Sequence, residues 1–262
     1  FSSRRRHTRL GRWSRGLGDV YKRQPYTAPH SPFQGPNDKQ PDPLPLDSPL
    51  WNQSTAPPDV YIAMIEHMDK GIGRILDALD VMGLTEDTVI IFAGDNGGTR
   101  SARNVPFSGI KGSTFEGGIR VPAMVKWQGV VPAGIVSDQV SVTFDFTASI
   151  ARIAGVSPSR EKPFEGIDII QHVAERRKDF DRTLFWRKPR GERVWKGARQ
   201  GSLKYVGERN GDEFREYLFD LSSDTAEEEN LKDTQPEGFA RLKQLYEAWE
   251  EEVRRNRRGR PE

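Results

Sequence analysis

The sequence predicts an α/β fold, with part of a helix-flanked sheet followed by a small antiparallel α+β unit. Three observations predict it. The run Thr88 to Phe92 follows a long amphipathic pattern and has no polar alternation, as expected of a strand buried on both faces. A second apolar strand, Val121 to Trp127, follows a glycine-rich loop. Past residue 182, strand-like pieces in series precede a single helix.

Taken in order, residues 1–24 hold seven Arg and one Lys against Asp19, a charge of +7, which leaves −5 on the rest of a chain whose total is +2. The stretch has no periodicity and no apolar h-region, so it does not read as a signal peptide. Asp19 to Gln24 and Ser2 to Arg9 resemble translated sequencing-adapter text, which predicts a non-native leader with natural sequence from about Pro25. The other reading is an Arg-rich arm for RNA or DNA, against which stands the mildly acidic body. No run of eighteen apolar residues exists, so no membrane-spanning helix is expected. The absence of cysteine excludes disulfides, thiolate metal sites and a cysteine nucleophile within these 262 residues.

Pro25 to His30 reads as an extended segment between two prolines, and residues 31–58, with eight more prolines, as a surface loop or lid. Asp59 to about Met82 predicts a helix with Ile62, Ile65, Ile72, Ile75, Leu76 and Leu79 on one core-facing stripe, capped at Gly83. The strand Thr88 to Phe92 ends in Ala93-Gly94-Asp95-Asn96-Gly97-Gly98. A carboxylate and a carboxamide among glycines suit a hard-cation corner, and the same residues suit an ordinary turn. In Gly109 to Pro122, four glycines surround Lys111, flexible backbone around one cation that suits an oxyanion. The spacing is not that of a P-loop. A helix is predicted over 142–154, ended by Gly155, and a polar connection over 157–182. Strand-like pieces follow at 183–186, 204–206 and 216–221. The closing helix spans about 237–253, and the basic tail 254–258 reads as a frayed end.

Three stretches agree with one family in order and spacing. Ala28-Pro29-His30-Ser31-Pro32 resembles the histidine loop of the type I (arylsulfatase-like) sulfatases of the alkaline phosphatase superfamily. Thr88 to Gly98 resembles their second metal-binding strand, and Lys111 to Pro122 is similar to their Lys-Gly-x-Thr/Ser-x-Glu-Gly-Gly-x-Arg-Val-Pro segment. Tyr217-Leu218-Phe219-Asp220-Leu221 with Glu229-Asn230-Leu231 is loosely similar to the closing signature. The resemblance covers about Pro25 to Val253 and implies the C-terminal portion of a sulfatase. Its domains are then 25–160 in the sulfatase-like α/β sheet, a connection at 161–182, the small α+β domain at 183–255 and a tail at 256–262.

The resemblance implies Asp95 and Asn96 as ligands of a divalent cation, usually Ca²⁺, with Lys111 and His30 facing a sulfate ester. It also implies a formylglycine nucleophile from Cys/Ser-x-Pro-x-Arg and a paired Asp-Asp, neither of which this chain contains. Val156-Ser157-Pro158-Ser159-Arg160 mimics the motif with Val156 at the nucleophile position. The expectation is therefore a chain that is inactive alone, taken from a hydrolase of sulfated small molecules or sulfated glycans, with no nucleic-acid or membrane partner. Export to the periplasm or outside the cell is implied by the relatives only. The alternatives are a phosphodiesterase or phosphonate hydrolase of the superfamily, or a non-catalytic binding module.

Overall fold

A computed structural model describes residues 24–39, 44–159 and 163–258. The predicted leader, apart from Gln24, and Arg160 of the mimic motif lie outside the described residues. After a single 3-10 turn at Pro49–Asn52, helix α1 spans Pro58–Val81. It opens with proline at the first turn, where no amide partner is missed. It closes at Gly83 (φ 66°), with the Leu84 amide reaching back to Leu79 O at 2.9 Å.

Strand β1 (Ile90–Ala93) pairs antiparallel with β2 (Ala123–Lys126), Ile90 opposite Lys126 and Ala93 opposite Ala123. Between them lies the short helix α2 (Glu116–Ile119). The strand expected to be buried on both faces is half-buried, because β2 is its only strand neighbour among the described residues. The α1 stripe differs in the same sense. Ile62 is 55% exposed, while the helix side that packs holds Met64 and Gly71. That side receives the segment before it: Tyr26 lies against Gly71, and Phe33 meets Tyr61 edge-on at 6.4 Å.

Helix α3 (Thr143–Ile153) starts where the Asp145 carboxylate accepts the Val142 amide at 2.8 Å. The segment read as a connection contains helix α4 (Ile169–Ala174), whose Ile169, Ile170 and His172 are buried. Buried Asp145 also accepts the Ile167 amide and pairs with Arg182, so a carboxylate ties α3 to the chain entering the last unit.

That unit is a meander of β3 (Thr183–Arg190), β4 (Arg193–Gln200), β5 (Leu203–Asn210) and β6 (Glu213–Asp220). Helix α5 (Pro236–Arg258) packs across it. Its three hairpins turn on two residues each, with Gly191, Gly201 and Gly211 at φ of 58°, 60° and 61°, the backbone a type II′ turn requires at its first position. One sheet face packs Ala198, Tyr205 and Leu218 against Leu242 and Tyr246 of α5, and the other packs Trp195, Val206 and Phe219 with Phe115. The basic tail expected to fray continues α5, with Arg254 and Arg255 paired to Glu250 and Glu251 at 3.3 Å.

Candidate functional site

The Asp95-Asn96 corner leaves β1 on a backbone held from both sides. The Gly94 amide donates to Pro122 O at 3.1 Å, extending the β1–β2 ladder by one step. The Gly97 amide donates to Gly118 O at 2.9 Å, and a Cβ on Gly97 would stand 1.9 Å from Gly117 O, so only glycine fits. Gly98 O accepts the Lys111 amide at 2.8 Å, and the Asn104 carboxamide bonds both the Gly98 amide and its carbonyl. Asp95 is exposed and Asn96 half-buried on this frame.

The lysine segment is packed rather than flexible, contrary to the expectation from its glycines. A Cβ at Gly117 would lie 2.4 Å from Gly109 O, and one at Gly118 would lie 2.4 Å from Ser113 O. These glycines permit close backbone approach, and Lys111 stands exposed at the segment's start. The segment's other end is anchored on the four-stranded sheet. Buried Thr114 donates through Oγ1 to Lys196 O at 2.8 Å, and Phe115 packs at 5.5 Å on Trp195 and 5.9 Å on Phe219.

Glu116 forms the deepest anchor. Its amide donates to Glu227 Oε2 at 2.6 Å, and Lys204 Nζ lies 2.7 Å from Glu116 Oε1 and 2.8 Å from Glu227 Oε1. The Lys204 side chain is 0% exposed. Two carboxylates around one ammonium leave an excess negative charge, which Arg199 and Arg120 approach at 3.8 and 3.6 Å from Glu116 Oε2. Burial raises the Glu227 carboxyl above its ordinary range, and the Lys204 charge pulls it back in part. Glu116, Lys204 and Glu227 were not recognised as site residues from the sequence. Glu116 lay inside the lysine segment, but nothing in the pattern marked Lys204 as an inward-facing cation.

His30 sits in the turn closed by its own amide on Thr27 O at 2.8 Å. Its Nδ1 lies 2.8 Å from Ser31 O, which can only accept, so Nδ1 donates and Nε2 is left for a ligand. The structure thus joins Asp95, Asn96 and Lys111 through one backbone junction, whereas the hydrogen bonds of His30 are local. The proline-rich loop after His30 returns toward the corner, where the Ala56 amide donates to Ser101 Oγ at 2.7 Å. Among the described residues no group of three or more His, Cys, Asp or Glu is placed to hold a metal. Asp95 and Asn96 match a hard cation in kind but not in number, since Ca²⁺ takes about six to eight oxygens.

A sulfatase family model matches residues 23–156. The N-acetylgalactosamine-6-sulfatase of Canis lupus familiaris is 33% identical over 116 residues, covering 42% of this chain and 22% of that protein. A sulfatase of Formosa agariphila is 33% identical over 194 residues, covering 65% of this chain and 35% of that protein. The chain therefore spans about a fifth to a third of the length of these curated relatives. Among solved structures, Ps i-CgsB in complex with k-i-k-neocarrahexaose shares the fold at a TM-score of 0.69 and 24% identity, over 85% of this chain and 48% of that one. With just over half of its residues matched by the family model, and its fold shared with a solved relative, this chain belongs to the sulfatase family.

Proposed function

We propose that this chain supplies the histidine loop, the cation corner and the lysine segment of an enzyme that hydrolyses a sulfate ester, R-O-SO₃⁻, by attack at sulfur. The observation that carries the reading is the junction of Gly97 with Gly118 and of Gly98 with Lys111, which brings the Lys111 backbone to the corner that carries Asp95 and Asn96. The Lys111 ammonium binds a sulfate oxygen as a point charge. His30, as an imidazolium that donates through Nε2 while Nδ1 bonds Ser31 O, faces the bridging oxygen and stabilises the charge that develops on the departing alcohol. Asp95 and Asn96 hold a divalent cation, most simply Ca²⁺, together with carboxylates that this chain does not supply. When bound, that cation offers positive charge to the sulfate oxygens. A sulfated glycan is the favoured substrate class, in keeping with the names of the galactosamine-sulfate and carrageenan relatives.

The chain is inactive alone in this reading, because it has no cysteine and no Ser-x-Pro-x-Arg from which a formylglycine nucleophile arises. Purified chain is expected to hydrolyse p-nitrophenyl sulfate no faster than Lys111→Ala. Turnover well above that variant would overturn the inactivity. Binding of inorganic sulfate, followed by calorimetry, is expected to weaken at least tenfold in Lys111→Ala, and equal binding would remove Lys111 from the site.

A further inference from the structure

The sheet that anchors the lysine segment has a second feature on its opposite face. Where the β3–β4 and β5–β6 hairpins approach the end of α5, a cavity of about 240 Å³ is lined by Arg187, Lys196, Arg209, Phe214, Glu250 and Arg254. Side chains alternate across a strand, so Lys196 faces α5 while Trp195 faces Phe115 and the lysine segment. The cavity is therefore separated from Lys111 by the thickness of the sheet.

Its charge is strongly unbalanced, with four cations facing one carboxylate. Glu250, 6% exposed, gathers three of them: Arg187 Nε at 2.6 Å, Lys196 Nζ at 3.3 Å and Arg254 at 3.3 Å. Its Oε1 also lies 3.4 Å from the Tyr246 hydroxyl. Arg209 spends one N–H on Gly211 O at 3.0 Å. Three guanidiniums and an ammonium bring many more donors than one carboxylate and one carbonyl can accept. Glu250 holds the cations in convergence without neutralising them, a preorganised arrangement for an anion. One wall is the Phe214 ring, 45% exposed, with Lys196 Nζ 5.8 Å from its centroid. Lys243 Nζ lies 6.0 Å from the same centroid, and the exposed part of the ring beside several guanidiniums suits the apolar side of a sugar bearing sulfate groups, which packs on it while planar N–H pairs engage sulfate oxygens.

We propose that this cleft is a second carbohydrate site, holding a sulfated residue of the same polymer whose ester is cleaved elsewhere. The proposal rests on the sulfated-glycan reading above. It gives the enzyme a grip on long chains remote from the scissile bond.

The test is calorimetry on the full chain at about 0.15 M ionic strength, where exposed charges are screened beyond roughly 8 Å. The probes are a sulfated carrageenan hexasaccharide, its desulfated form and inorganic sulfate. Every variant carries Lys111→Ala, which removes the cation of the candidate active site. The sulfated hexasaccharide is expected to bind this background at least tenfold more tightly than either other probe. Adding Arg209→Glu with Arg254→Glu, both exposed, is expected to weaken binding more than tenfold in a chain that stays folded, with a small drop in thermal midpoint from the lost Arg254–Glu250 pair, and Phe214→Ala to weaken it about threefold. Lys70→Glu with Arg74→Glu, an equal charge change on α1, is expected to leave binding intact. Loss of binding in Lys111→Ala alone would overturn the cleft while leaving the sulfatase reading in place. Retention in the Arg209/Arg254 variant, equal loss in the α1 variant, or equal affinity for inorganic sulfate would each overturn it as well.

Discussion

The meander with α5 and the helix-and-hairpin region before it treat apolar surface in opposite ways. In the meander both sheet faces are covered, and Ala198, Val206, Leu218 and Leu242 are 0% exposed. In the earlier region Ile62, Ile65, Ile75 and Met124 stand open, and β1 and β2 form a ladder of four residue pairs. The residues proposed for chemistry, Asp95, Asn96 and Lys111, belong to the open region, yet the segment after Lys111 is pinned to the closed one by Thr114, Phe115 and Glu116. The difference teaches that the small unit serves as a rigid backing for the lysine segment. The four predictions below break or sharpen that contrast.

The largest effect is expected where the two regions join. Lys204→Met leaves Glu116 and Glu227 buried together without their cation, and removing one partner of a buried pair costs about 3–5 kcal/mol. Urea unfolding measures the loss. Because the lysine segment loses its anchor, amide exchange at Lys111 to Gly118 is expected to speed up even under conditions where α5 remains folded. If exchange there stays slow, the buried trio supports the meander alone and the backing role fails.

This junction also marks where the sequence stops being legible. Helices predicted over 59–82, 142–154 and 237–253 appear at Pro58–Val81, Thr143–Ile153 and Pro236–Arg258, because apolar spacing and Gly83 or Gly155 are local signals. Strand β4 was missed. Its Lys196 and Arg199 break the expected alternation, and they are tolerated because Glu250 and Glu116 meet them from elements far away in the chain. The Gly-Glu, Gly-Ser and Gly-Asp turns around it were the available signal. In the candidate site, residue types were legible, but the reason for the glycines was not. Close approach of Gly97 to Gly117 is a tertiary fact, and a pattern of glycines reads equally as flexibility.

The same truncation placed in each region tests the packing contrast directly. Leu242→Ala in the covered core is expected to cost about 2–5 kcal/mol, through lost transfer free energy and the cavity left behind. Ile62→Ala on the open stripe is expected to stay within about 0.5 kcal/mol. Chemical denaturation of both variants makes the comparison, and a cost at Ile62 similar to that at Leu242 would mean that α1 is covered in solution.

At the corner, Gly97→Ala forces a methyl onto the Gly117 carbonyl, and overpacking of this kind costs about 1–3 kcal/mol. Gly35→Ala, with nothing within 4 Å of the added Cβ, is the matched control and is expected to be neutral. The Gly97 variant is also expected to lose the Gly97–Gly118 hydrogen bond, so sulfate binding weakens together with stability. Loss of stability with intact sulfate binding would show that the junction does not position Lys111.

The smallest effect separates the regions by pH. Tyr205 and Tyr246, both 1% exposed in the meander, have hydroxyls pushed well above the ordinary 10.0 by burial first, and then by Glu216 and Glu250 respectively. In the unfolded chain these phenols ionise near their ordinary value, whereas in the fold they stay neutral. Above pH 10 the folded state therefore holds more protons than the unfolded one, and stability falls as pH rises. The loss is about 1.4 kcal/mol per pH unit for each such tyrosine. Tyr246→Phe keeps the ring in the core and removes one ionisation, so its stability between pH 10 and 11 is expected to fall less than that of the unmodified chain, by about 1 kcal/mol because the unfolded phenol is only half ionised at pH 10. An unchanged slope would mean that the phenol reaches water in the folded state, and that the face of the meander under α5 is less closed than its packing implies.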